Sequence, residues 1–249
     1  MRCNADRLIE ALIATEMMEM QRQEADKKEK RRQKAKVKVV TVSRDFGSMG
    51  KLVAKLLADT LEVRCCDRFI LQQVAQQAHV DEELVRVLDE HVSKINGHWW
   101  QHLLQKDAFS YEDYYHYLVK IVLSLSHSGS VIVGRGANLI LSENKAFRVR
   151  ITGSVEQCAK RVASREKIDR EESIELVRKV NKERAEYIQM LYDADINEPS
   201  AYDLVLNSDR YDRVQMVDLI LDAMEKAGYK LPDDARNSLS LLAEADNKK

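Results

Sequence analysis

The stretch "VKVVTVSRDFGSMGKLVAKLLA", Val37 to Ala58, decides the fold. Val37, Val39, Val40 and Val42 make an apolar β-branched run, the pattern of a strand buried in a parallel sheet. Leu52, Leu56, Leu57 and Leu61 then recur at the spacing of one helix face. Between the two, Gly47 and Gly50 let the backbone bend so that several N–H groups point inward. The N-terminus of the following helix adds a favourable dipole. Lys51 sits where an ammonium reaches the β- and γ-phosphates of a nucleotide. This is most of a phosphate-binding loop of the form GxxxxGK[ST]. Two positions depart from it. Asp45 stands where the first glycine belongs, and Leu52, followed by Val53, stands in place of the hydroxyl residue that serves Mg²⁺. A plain strand-to-helix turn with a surface lysine accounts for the same residues.

The theme recurs along the chain. "VRCCD" (63–67) reads as a short strand, followed by helical patterns over about 68–79 and 81–94. "NGHWWQHLLQKDAF" (96–109) reads as irregular or briefly helical. Ser110 caps a helix running to about Ser126, with Gly129 as its terminator. "SVIVGRGANLIL" (130–141) repeats strand, glycine turn and helix, and "AFRVRIT" (146–152) is another strand. Ser154 with Gln157 forms a capping box for the next helix. A charged helix spans about Arg170 to Leu191 and is broken by Pro199. "YDLVLNS" (202–208) is the last strand and Tyr211 to Ala227 the last helix. Alternating strands and helices predict an α/β fold, a parallel sheet with helices on both faces. Residues 231–249 read as a flexible tail.

Residues 4–36 contain no Gly or Pro, and Leu8, Ile9, Leu12, Ile13 and Met17 recur at helical spacing. Residues 1–36 therefore read as a long N-terminal helix, greasy first and basic later. Lys27 to Lys38 holds eight Lys or Arg and one acid. That helix can pack on the main domain or pair with a second copy, which makes self-association an expectation. A solvated helical linker explains the basic run better than contact with nucleic acid or an acidic membrane surface does, since no aromatic side chains are interleaved for stacking on bases.

With 8 Gly and 2 Pro in 249 residues, a turn-rich β sandwich is excluded, and 45 % hydrophobic residues suffice for a large core. The net charge of −1 selects no partner. No apolar run approaches the roughly 18 residues of a membrane span. The start of the chain lacks the clean apolar core of a signal peptide. Cys3, Cys65, Cys66 and Cys158 form no CxxC pair, and adjacent Cys65 and Cys66 would bridge only with strain. A reduced, cytoplasmic chain is expected.

"SRDFGSMGKLVAKLLADTLEVRCCDRFIL", "VIVGRGANLIL", "FRVRITGSVEQCAKRV" and "YDLVLNS", in that order, resemble the cytidylate-kinase-like family of P-loop nucleoside monophosphate kinases. The resemblance covers roughly Val37 to Ala227. It implies a three-layer P-loop kinase fold over 37–230, with a helical acceptor-binding segment at about 67–128 and a lid at about 165–195. It also implies ATP-dependent phosphorylation of a nucleoside monophosphate, CMP or dCMP first, with ATP and Mg²⁺ as cofactors. On this likeness Phe46, Gly47, Ser48, Met49, Gly50, Lys51 and Leu52 would cradle the donor phosphates. Asp67 and Arg68 would open the acceptor segment, and Arg135 would grip the acceptor phosphate. Arg161 and Arg184 would neutralise the transferring group beside Lys51, and Arg165 would serve ATP. Phosphoryl transfer needs positioning and charge neutralisation, for which the rigid arginine fork is suited.

Plainer readings stand beside these. Arg161 and Arg165 can pair with Glu166 or Asp169, and Asp67 can simply cap a helix. Better-known cytidylate kinases carry Asp where Gly134 stands, and lid arginines near the positions of Tyr187 and Gln189. Asp45 or Ser48 contacting the metal through water is the expected substitute for the missing hydroxyl. A non-catalytic nucleotide-binding module, with the N-terminal helix engaging a partner, is the alternative function. His98 and His102 are four apart but have no third ligand, so no metal site is read there. Tyr114 and Tyr117 read as core residues, with one of the tyrosines of "SYEDYYHYL" free to line a base pocket.

Overall fold

The computed structural model describes residues 39–91, 109–141 and 145–247. The predicted N-terminal helix with its basic run, Cys3, and the segment bearing His98 and His102 lie outside the described residues. Five parallel strands form one sheet: β1 (Val39–Arg44), β2 (Arg64–Cys66), β3 (Ser130–Val133), β4 (Phe147–Thr152) and β5 (Leu204–Asn207). Their spatial order is β2-β3-β1-β4-β5. The helices are α1 (Gly50–Thr60), α2 (Phe69–Ala78), α3 (Glu82–His91), α4 (Tyr111–Leu125) and α5 (Ala137–Ile140). They continue with α6 (Val155–Glu166), α7 (Arg170–Tyr192), α8 (Arg213–Lys226) and α9 (Ala235–Asn247).

Strand alternation builds the three layers. Successive side chains point to opposite faces. Val40 and Val42 join Val131, Val133, Val149 and Ile151 against Leu57 of α1 and Ile220 of α8. Val39 and Ile132 face the other way, onto Ile70 of α2, Leu88 of α3 and Tyr114 and Leu118 of α4. A small third cluster ties α6 to α7 through Cys158, Ala159, Val162 and Val177. Because all strands run the same way, the loops after β1, β2, β3 and β4 gather at one edge, where ligands of such sheets bind.

The helix ends follow local chemistry. Ser110 and Asp113 form a reciprocal capping box at α4. Of the predicted box at α6 only half forms. Ser154 accepts from the Gln157 amide, but the Ser154 amide donates to Asp209 instead. The charged helix α7 stops at Asp193 in the left-handed region (φ 49°), six residues before Pro199, which opens a 3₁₀ turn.

The tail expectation needs correction. Residues 235–247 form α9, and Ala235 and Leu239 are buried, Leu239 in the same cluster as α1 and α8. Pro232 ends one segment and the polar run after it hid an amphipathic turn. Truncating Leu239 to alanine is expected to lower stability by about 2–5 kcal/mol, as for other buried leucines. Urea unfolding checks this, and an unchanged midpoint would mean that α9 does not pack.

Candidate functional site

The glycine-bearing loop leaves β1 at Arg44 and enters α1 at Gly50. Gly47 has φ +85°, and a Cβ there would lie 2.6 Å from the Cys158 carbonyl oxygen. Only glycine allows both the conformation and that approach. Met49, the residue before α1, is also left-handed (φ 62°) and provides no side-chain cap. Among the described residues nothing accepts from the amides of Gly47, Met49, Gly50, Lys51 and Leu52. The Phe46 amide donates to Asn181 Oδ1 at 2.7 Å, and the Ser48 amide reaches the Asp45 carbonyl at 3.5 Å. A loop that presents successive amides in this way is an anion-binding nest.

Asp45 and Ser48, expected to reach a metal through water, have their side chains engaged with the protein. Asp45 Oδ1 accepts from Arg150 Nη2 at 2.7 Å and Oδ2 from the Gly153 amide at 3.3 Å. The buried Ser48 hydroxyl donates to the carbonyls of Asp45 (3.0 Å) and Ile151 (3.1 Å). Both side chains brace the loop from beneath. Leu52, in place of the hydroxyl residue, is 52 % exposed.

The predicted cations divide into two groups. Lys51 is 69 % exposed, and its Nζ lies 2.9 Å from Asp67 Oδ2 at the end of β2. Burial works to raise Asp67, but the Lys51 hydrogen bond and the charges of Arg135 and Arg44 outweigh it and hold the carboxyl below its usual range. Arg135 sits between Gly134 and Gly136, with φ 54° of its own. It donates from Nε and Nη2 to Asp89 at 3.0 Å each and from Nη1 to the Asp67 carbonyl at 2.8 Å. Arg184 donates to the Arg44 carbonyl at 3.0 Å and lies 5.7 Å above the Phe46 ring. Burial, with the like charges of Arg44 and Arg150, pushes it down to about 9.

The other arginines stand apart. Arg161 spends its guanidinium behind the loop, on the Gly47 carbonyl (3.3 Å) and on Ser208 (2.6 Å to its carbonyl). Arg165 pairs with Glu166 at 2.8 Å, 57 % exposed, with its guanidinium 5.3 Å from the Phe46 ring. The plainer reading of Arg165 therefore describes its contacts. Arg68 is exposed and lines a cavity of about 420 Å³ in which Arg86 and Arg135 face the acids Asp67 and Asp89 and the run Asp81 to Glu83.

Sequence reasoning missed Arg44. Its side chain is half-buried, and desolvation lowers its basicity despite Asp67 nearby. A Cβ on Gly134 would lie 2.2 Å from Arg44 Nη1, and one on Gly50 2.4 Å from Arg44 Cβ. Gly134 thus makes room for this guanidinium. A charge closing an apolar strand was the available signal. Asp89 and Arg150 were also missed, because their partners are distant in sequence, whereas Tyr114, read as a core residue, is fully buried.

The model of one protein family, described as the cytidylate kinase-like family, matches residues 39–210. The chain belongs to that family. This kinase-like chain also resembles, at 24 % identity and TM-score 0.59, the crystal structure of an uncharacterized protein from Eubacterium ventriosum. That match covers 77 % of this chain and 99 % of the other. A shikimate kinase from Bacteroides thetaiotaomicron matches at 13 % identity and TM-score 0.42, over 76 % and 97 % of the two chains. A gluconokinase from Sinorhizobium meliloti matches at 12 % identity and TM-score 0.45, over 78 % and 95 %. No curated protein matches the chain. The P-loop kinase fold and a phosphotransferase class of chemistry follow from the family. Among the described residues no helix is long and apolar enough to cross a membrane.

Nucleotide phosphates fit the free amides of the loop. For Mg²⁺ the fit is one carboxylate, Asp67, beside Lys51. Magnesium commonly takes one or two carboxylates and fills its shell with phosphate oxygens and water, so this donor set is adequate.

Proposed function

We propose that this chain transfers the terminal phosphoryl group of ATP to a nucleoside monophosphate, with CMP or dCMP as first acceptor. One observation carries the reading. Five unengaged amides, from Gly47, Met49, Gly50, Lys51 and Leu52, adjoin Lys51 and two half-buried, under-neutralised guanidiniums, Arg44 and Arg184. Concentrated positive charge held out of water is costly until an anion arrives, and a polyphosphate relieves it.

Lys51 and the loop amides hold the donor phosphates, and Arg184 neutralises the group in transit. Bound Mg²⁺ would be held by Asp67 and would offset charge on the phosphates. Asp67, kept ionised by Lys51 and Arg135, is a poor proton acceptor. That suits an acceptor whose attacking oxygen is already anionic and needs no general base. Arg135 and Arg68 line the cavity and are assigned to the acceptor's phosphate. Arg161, committed to carbonyls behind the loop, is assigned to holding the loop instead of to the reacting group. Arg165 remains assigned to the ATP side through its place over Phe46.

ATP with Mg²⁺ is expected to raise the unfolding temperature, since at a hundredfold excess over its Kd a ligand of the native state contributes about 2.7 kcal/mol. The deciding experiment is ATP-dependent product formation across CMP, dCMP, UMP and other acceptors. Turnover with a monophosphate supports the kinase. The apolar Leu52 motivates the second reading, a nucleotide-binding module without catalysis. Thermal stabilisation by ATP with no turnover for any acceptor would establish that module and overturn the kinase.

A further inference from the structure

The helix predicted as part of the lid carries tyrosines at its last turns, and they reach the acceptor arginine by two routes. Along the first, Tyr192 Oη donates to the Arg135 carbonyl at 2.6 Å. Its ring covers Gly136 so closely that a Cβ there would lie 2.2 Å from Tyr192 Cε2. Along the second, Tyr187 Oη lies 3.0 Å from Tyr114 Oη, and Tyr114 Oη lies 2.6 Å from Asp89 Oδ1. Tyr114 has one hydroxyl proton and gives it to the carboxylate, so Tyr187 donates to Tyr114. Asp89 closes the chain by taking the Nε and Nη2 edge of Arg135 in a bidentate fork.

The fork also fixes what Arg135 has left to offer. A guanidinium has five N–H groups. Two go to Asp89 and one to the Asp67 carbonyl, and Nη1 also lies 3.5 Å from the Asp67 carboxylate, which leaves the second Nη2 N–H as the one with no partner among the described residues, at a side chain that lines the 420 Å³ cavity. A free arginine turns about several bonds, and this one is held by its backbone, its edge and one end.

We propose that Asp89, through Tyr114 and Tyr187, is the positioning residue that aims Arg135 at the acceptor's anion and ties that grip to helix α7. The proposal rests on the assignment of Arg135 to the acceptor phosphate. Donor binding at Lys51 and the loop amides meets this network only through Asp67, which lies 2.9 Å from Lys51 Nζ and 3.5 Å from Arg135 Nη1 and is left in place by changes at Asp89 or Tyr187, so the network acts chiefly on the acceptor.

Calorimetric titration of CMP and of a non-hydrolysable ATP analogue into wild type, Tyr187→Phe and Asp89→Asn tests it. Tyr187→Phe removes one hydroxyl and is the milder variant should Asp89→Asn fold poorly. CMP binding is expected to weaken by roughly threefold to tenfold in Tyr187→Phe, the range of one neutral hydrogen bond, and by more than about tenfold in Asp89→Asn. The analogue should bind all three proteins within about twofold, the spread expected of groups outside the network. Unchanged CMP binding, or equal weakening of both ligands, would overturn the proposal, since a merely structural role predicts the latter. A wild type that binds CMP and the analogue without turnover defeats the kinase reading while the network is still decided by the variants. A wild type that binds no nucleoside monophosphate overturns both.

Discussion

Replacing Lys51 with alanine is expected to cut ATP-dependent turnover by roughly 10²–10³, the loss typical of removing one preorganised charge-stabilising group. The expectation follows from what the site lacks as much as from what it has. With Leu52 in place of a hydroxyl residue, and with Asp45 and Ser48 committed beneath the loop, Lys51 is the cation that follows the free amides directly. The fold should tolerate the change. The lysine is 69 % exposed, and its pair with Asp67 is of the accessible kind that contributes about 1 kcal/mol or less. Turnover should therefore collapse while the thermal midpoint without ligand stays nearly fixed, and the ATP-induced rise of that midpoint should shrink. Initial rates and a melting curve on the same preparations check both. Undiminished turnover in the alanine protein would remove the loop from the reaction.

The sheet was legible because its signal is local. Val39 to Val42 and Val131 to Val133 are β-branched throughout and apolar except for Thr41, and nothing remote is needed to read them as strands. The two loop glycines were legible for the same reason, a tight turn between two periodic patterns. Helix α9 was not, because its polar residues conceal the contact of Leu239 with α1 and α8, which exists only after the sheet has formed. The candidate site divides the same way. Lys51 and Arg135 adjoin glycine turns and could be found from their neighbours. Arg161 could be placed on a helix, but not assigned to the Gly47 carbonyl 114 residues away. Nothing local assigned a role to Arg44 or Asp89. Their meaning lies in guanidiniums and phenols contributed by other segments.

Asp45 shows most plainly how a departure from a motif acquires its reason in three dimensions, and it gives the largest expected loss of stability. In sequence it is the wrong residue for a first loop glycine. In the fold its carboxylate meets Arg150, whose side chain is 4 % exposed, across adjacent strands at 2.7 Å. Arg150 also donates to Asn197 and Ser43, while its Nε is buried with no partner among the described residues. Arg150→Met keeps much of the volume and removes the charge, leaving Asp45 in place with only the Gly153 amide. Breaking a buried pair from one side costs about 3–5 kcal/mol, because the remaining charge is uncompensated. The loop should shift with its brace, so ATP stabilisation should weaken together with the fold. Removing the orphaned charge reverses the cost, so Asp45→Asn added to Arg150→Met should recover most of the lost stability, though not the geometry that the guanidinium imposes on the loop. Urea unfolding of the two single variants and the double variant measures this directly. If the double variant were no more stable than Arg150→Met alone, Asp45 would not be the partner whose charge Arg150 neutralises, and the loop's support would have to come from Ser48 and Arg161 instead.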